Sequence, residues 1–268
     1  MDKPGLFEAA AHCLALADPQ EKCLAVANLA TAAGRHEFEW DASFPVQAIG
    51  PPGRPDKPEL VDPMNVPRRR LGSPAGRAAL VHAIAHIEFN AINLALDAVY
   101  RFREMPEQYY FDWISVACDE SRHFQLLQSR LEKLGNQYGD FPAHNGLWEM
   151  AEKTADSCLV RMALVPRVLE ARGLDVTPGM IERLRGAGDT ESIEVLEVIL
   201  EEEVRHVAIG SHWFNFCCVQ EDKPPTETFL DLLRTHFGGF IRGPFNLPAR
   251  SKAGFTEQEL DALMAGIG

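Results

Sequence analysis

The sequence has no Cys-x-x-Cys pair, no stretch of strand-like alternation and no excess of positive charge. The six cysteines (Cys13, Cys23, Cys118, Cys158, Cys217 and Cys218) are scattered, which excludes a disulfide framework or a structural zinc site. No window reaches the roughly 20 uncharged apolar residues of a membrane span, so no membrane partner is expected. The first residues place no apolar run behind a basic end, so no signal peptide is expected, and a reduced, cytoplasmic setting follows as the expectation. The net charge of −13 disfavours a broad grip on nucleic acid, and "PRRRLGS" is the one conspicuous basic cluster.

Helix signals dominate what is present. Residues 5–33 read as two short helices split by Asp18-Pro19. Between 41 and 74, prolines at 45, 51, 52, 55, 58, 63, 67 and 74 exclude regular helix and predict an arm laid across the surface. Four long helical patterns follow. The first starts at Ser73-Pro74, the second ends at Gly135, the third is interrupted by Pro166, and the fourth is capped by Asp189 or Thr190. The tail offers a helical "TETFLDLLRTHFGGF" and a terminal helix from Thr256. The expectation is one all-α domain over 1–268. It comprises N-terminal helices (1–40), the Pro-rich arm (41–74), a four-helix bundle (75–219) and a helical tail (220–268).

Projection at 100° per residue puts charged groups where apolar ones belong. Glu88 shares its face with Ile84, Ala85, Ile92 and Ala95. Glu120 and His123 share theirs with Trp113, Val116, Phe124 and Leu127, and Glu203 and His206 share theirs with Leu196, Ile199, Val207 and Phe214. A lone carboxylate in such a core is costly, so these acids need compensating charge. A dinuclear metal site supplies it, using one Glu from each of two helices and a Glu-x-x-His from each of the other two. Glu170 on the third helix is the remaining acid of that set. The spacing repeats, with Glu88 to Glu120 (120 − 88 = 32) against Glu170 to Glu203 (203 − 170 = 33). The competing reading of Glu120–His123 and Glu203–His206 is a pair of buried hydrogen-bonded contacts. His82, His86 and His212 read as packing or surface residues, and Asp112 and Asp119 as acids that either orient a ligand histidine or face solvent.

The segments "HAIAHIEFNAI", "ACDESRHFQLL", "VLEARGLDVTPGM" and "EEEVRHVAIGSHWF", with the tail "GPFNLPARSKAGF", resemble a bacterial ferritin-like family catalogued as a domain of unknown function. The likeness spans about residues 5–260. It implies a ferritin-like fold with Glu88, Glu120, His123, Glu170, Glu203 and His206 as metal ligands. More distantly, "LEARGLD" is similar to a segment of the di-iron hydroxylases that oxidise a prenylated adenosine in tRNA. Such ligands suit two iron ions, or manganese in place of one or both. The expected activity is a di-iron oxidoreductase that uses dioxygen and an external electron donor on a small or nucleoside-like substrate. The alternatives are non-catalytic iron binding in oxidative-stress protection and manganese-dependent peroxide reduction. A homodimer fits such bundles, and tRNA remains the one nucleic-acid partner left open. Arg242, Asn246, Arg250 or Lys252 in the tail either meet an anionic substrate group or brace the bundle.

Overall fold

The structure, a computed structural model, describes residues 5–40, 44, 46, 49–67, 69–238 and 241–266. Among these, every regular element is helical, and strand-like pairing is limited to the isolated bridges Gly5–Glu39 and Leu60–Ala143. The chain groups into two compact units, residues 1–149 and 150–268.

The first unit is built on α1 (Leu6–Ala15), α2 (Pro19–Gly34), α3 (Pro74–Arg101) and α4 (Glu107–Lys133). Each start has a local cause. The Asp18 side chain accepts from the amides of Gln20 and Glu21, with Pro19 at the first helical position. Ser73 accepts from the Gly76 amide ahead of Pro74 and α3. Past the end of α4, Gly135 takes φ 74°, a left-handed conformation that costs glycine little. Helices α3 and α4 pack along one another, α1 lies on α3, and α2 lies on α4. By length and composition α3 is apolar enough to cross a membrane, and 78% of its apolar window is buried inside the protein.

Part of the Pro-rich arm is laid onto this unit. The Gly53 amide donates to Leu14 O at 2.9 Å, and a Cβ at Gly53 would stand 2.1 Å from Ala15 O, so only glycine admits this approach. Farther along, Val61 N and Ala143 O pair at 2.8 Å. Within the arm, residues 41–43, 45, 47–48 and 68 lie outside the described residues.

The third helical pattern departs from expectation. It is not one helix kinked at Pro166 but α5 (Gly146–Lys153), α6 (Cys158–Leu164), a π-helical turn (Val165–Glu170) and α7 (Ala171–Gly186). Ser157 caps α6 through the Val160 amide, which makes the break at 154–157 a true helix start. Pro166 has no N–H to return to the preceding turn, and the chain widens there. The Ala171 amide reaches Pro166 O, five residues back. Helix α8 (Thr190–Gln220) passes close over this turn, because a Cβ at Gly210 would fall 2.3 Å from the Pro166 ring. Asp189 is its cap, accepting from the Ser192 amide.

The tail forms α9 (Pro225–Phe237), α10 (Leu247–Lys252) and α11 (Glu257–Ala265), the last opened by a capping box between Thr256 and Glu259. It is tied to α7 and the π turn by buried polar contacts. Arg250 forks onto Asp175 at 3.0 and 2.8 Å, and Arg167 donates to Glu259 at 2.8 Å. The Arg167 guanidinium also lies within 4.1–4.7 Å of the ring centres of Phe214, Phe229 and Phe255.

Candidate metal centre

In the first unit, the pairing of α3 with α4 brings Glu88 to Glu120 and His123. All three are buried, His123 and Glu120 completely. His123 Nδ1 stands 3.1 Å from Glu88 Oε2 and 3.3 Å from Glu120 Oε2. Each of the three offers a ligand atom, and those atoms lie within 4.8 Å of one another. The neighbours on the same faces, among them Ala85, Ile92, Ala117 and Phe124, are buried and apolar.

That setting determines the charge. Burial alone would push the His123 pKa down, but its hydrogen bonds to Glu120 and Glu88 and their negative charge outweigh burial and push it up to about 11. Two carboxylates around one imidazole therefore demand a positive charge between them. Without metal the imidazolium proton provides it, and a divalent cation satisfies the same demand by displacing that proton. The donor set of two carboxylates and one imidazole fits iron(II), manganese(II) or zinc in hardness, and the described thiols form no part of it.

In the second unit, α8 carries Glu203 and His206 one turn apart. Both are buried, with His206 Nδ1 3.4 Å from Glu203 Oε1. Glu170 closes the π turn and is half-buried. The sequence places Glu170 on a kinked helix, whereas the structure seats it where the backbone changes from π to α. Such turns recur at functional sites because they redirect a side chain without ending the helix.

The remaining candidates separate cleanly. His82 and His86 are buried and neutral, both pushed down to about 4 by desolvation. His82 Nε2 accepts from the Gly139 amide at 2.9 Å, and His86 lies 2.9 Å from Tyr138 Oη and 3.1 Å from His144 O. Asp112 accepts from Gln108 and Asp119 from Arg122. His212, Glu152 and Glu201 are exposed. Of the tail residues, Arg250 and Asn246 brace α7, and Arg242 and Lys252 are exposed. Sequence reasoning did not anticipate Lys22, which is fully buried with Nζ 2.6 Å from Asn93 Oδ1 and 2.9 Å from Leu14 O. The one available signal was a lysine on the apolar side of a short helix, and surface helices carry many of those.

The fold and site thus define an all-helical protein with a buried carboxylate–imidazole cluster able to hold a metal ion. Residues 15–261 match the family described as "Protein of unknown function (DUF455)", and the chain belongs to that family. It is 48% identical over 214 residues to an "Uncharacterized protein" of Haemophilus influenzae, covering 77% of this chain and 74% of the relative. No solved structure matches.

Proposed function

We propose that the protein is a dinuclear metal–carboxylate oxidoreductase of ferritin-like type. It holds two iron ions, with manganese the alternative, and uses dioxygen to oxidise a small or nucleoside-like substrate. Glu120 and His123 would hold one ion and Glu203 and His206 the other, with Glu88 and Glu170 completing the ligand set. The observation that carries this reading is the buried trio whose ligand atoms gather within 4.8 Å. The repeated Glu…Glu-x-x-His spacing in the second half of the chain supports it.

Two redox-active ions held there would supply electron transfer to dioxygen, with an external donor as the source of the electrons. The chain's own part is to aim the carboxylates and to surround them with apolar side chains that exclude bulk water. The completely buried Glu120 and His123 meet that requirement.

The test is elemental mass spectrometry of the purified protein after anaerobic iron(II) loading, beside Glu120→Ala and Glu203→Ala. About two metal ions per chain are expected, falling by about half in each variant. Oxygen uptake by the reduced, loaded protein then separates an oxidoreductase from passive binding. Failure of the native chain to retain metal would remove the reading altogether.

A further inference from the structure

Two of the four tryptophans and two of the four tyrosines stand in one row inside the first unit. Ring centres are 5.4 Å apart from Trp40 to Tyr110, 5.5 Å from Tyr110 to Tyr109 and 6.3 Å from Tyr109 to Trp113. The outer end reaches solvent, because Trp40 is 47% exposed, while the other three rings are buried. The inner end lies on the helix that carries Glu120 and His123. Tyr109, Trp113, Val116 and Glu120 recur at steps of four, three and four along α4, which sets them on one buried face. Two helical turns, roughly 10 Å of rise, separate Trp113 from Glu120. We propose that Trp40, Tyr110, Tyr109 and Trp113 form an electron relay between the protein surface and the carboxylate–imidazole cluster. The relay rests on the redox reading of that cluster and gives the external donor's electrons their route to it.

Indole and phenol rings lose and regain single electrons, which saturated side chains do not. Packing alone would be met by phenylalanine, yet each phenol here has a backbone carbonyl to donate to. Tyr109 Oη donates to Ala98 O at 3.4 Å, and Tyr110 Oη donates to Phe102 O at 3.0 Å. An oxidised phenol is a stronger acid than a protonated amide, so its proton can pass to that carbonyl and return when the electron does. Trp113 Nε1 is buried without a hydrogen-bond partner among the described residues. An oxidised Trp113 therefore keeps its proton and remains a strong enough oxidant to draw an electron from Tyr109. In sequence, Trp113 gives one electron to the oxidised centre and Tyr109 refills Trp113. Tyr110 then refills Tyr109, Trp40 refills Tyr110, and an external one-electron reductant refills Trp40. Each ring ends as it began, and one electron crosses for each donor molecule oxidised.

Pulse radiolysis of the metal-free full chain tests the outer half. Azide radical takes an electron from the exposed Trp40 indole and becomes azide ion, and the indole proton goes to water. The Trp40 radical then regains an electron and a proton while Tyr110 loses the same. The indolyl absorption should therefore decay as a phenoxyl band rises, at one rate independent of protein concentration. Trp40→Phe should lose the initial indolyl signal, and Tyr110→Phe should lose the coupled phase with an unchanged circular dichroism spectrum. Decay by radical encounter alone, or a coupled phase that persists in Tyr110→Phe, would overturn the relay. The inner half is read in iron-loaded protein exposed to oxygen, by mapping tryptic peptide 104–122. Tyr110→Phe should carry more oxygen-adducted Trp113 than wild type, because oxidising equivalents no longer leave. Equal adduct levels would disconnect the row from the cluster. A chain that shows the coupled phase but retains no iron would fail the proposed function, whereas one that retains iron without the coupled phase would fail the relay alone.

Discussion

His123 on α4 reaches across to Glu88 on α3, Nδ1 to Oε2 at 3.1 Å, while also facing Glu120 from one turn away. The interhelical contact is therefore an ion pair in an apolar setting, and its energetics depend on keeping all three partners together. In chelator-treated protein, His123→Leu leaves two buried carboxylates without a counter-charge and should cost about 3–5 kcal/mol. The triple change of Glu88, Glu120 and His123 to leucine removes every charge and should cost less than the single one. Urea unfolding followed by circular dichroism measures both. A triple variant less stable than His123→Leu would mean that the cluster contributes packing that leucine cannot replace.

Lys22 gives stability a particular pH dependence. Desolvation by burial lowers its pKa to about 7, against an unfolded value of roughly 10.4. Between those values the unfolded chain binds the extra proton, so stability rises with pH. Lys22's own share should be about 2 kcal/mol from pH 7 to pH 9. From about pH 8 upward the buried thiols, among them Cys13 and Cys23, pushed up by burial to about 11 and 12, oppose it, because thiols in the unfolded chain lose their protons near 8.5. In a denaturant series the stability difference between wild type and Lys22→Met should shift in favour of wild type by about 2 kcal/mol between pH 7 and pH 9, and a difference that does not change with pH would assign the effect to another group.

On the acid side the sign is set by His82 and His86. Their folded values near 4 lie below the unfolded one, so their contribution is complete above about pH 6.5 and is lost as pH falls toward 4. In proton NMR, their ring resonances should stay unshifted from pH 7 to pH 5. Titration near 6.5 would show that both rings are solvated.

Pro178 sits inside α7 and cannot donate to Leu174 O, four residues back. The Asn246 side-chain amide takes that carbonyl at 3.2 Å. Asn246→Ala should cost about 1–2 kcal/mol, part of it through lost capping of α10. In a Pro178→Ala background the helix supplies its own donor, and the cost should shrink by about 1 kcal/mol in a double-mutant cycle. Additive effects would show that the Asn246 contact contributes nothing at Leu174.

Arg250 should matter to folding and not to substrate. Its two hydrogen bonds to Asp175 are buried, so Arg250→Ala is expected to cost about 3–5 kcal/mol on thermal or chemical unfolding. A fully stable variant would contradict the bracing role.

Much of this protein was legible in its residues because the signals were local. Asp18, Ser73 and Asp189 act as caps, and Gly135 turns the chain after α4, since each works through backbone groups within three or four positions. The same holds for Glu88, Glu120 and His123: helical periodicity fixes which face a residue occupies, and acids on an apolar face stand out. The third pattern was read as one kinked helix because the effect of Pro166 depends on what packs over it. Gly210 admits the close approach of α8, and no local rule chooses a π turn over a kink. The sequence left Arg250 open between a substrate contact and a brace because its partner Asp175 lies far away in sequence.

By itself, the sequence determined the helical character, the caps and the set of acids and histidines that must find compensating charge, because periodicity and propensity act over a few residues. Only the tertiary structure decided that His123 bridges Glu88 and Glu120 and that Lys22 and Arg167 are sealed in the interior. These depend on which helices pack and at what register. Burial of surface, which is non-directional along the chain, settles that only when the whole fold is assembled.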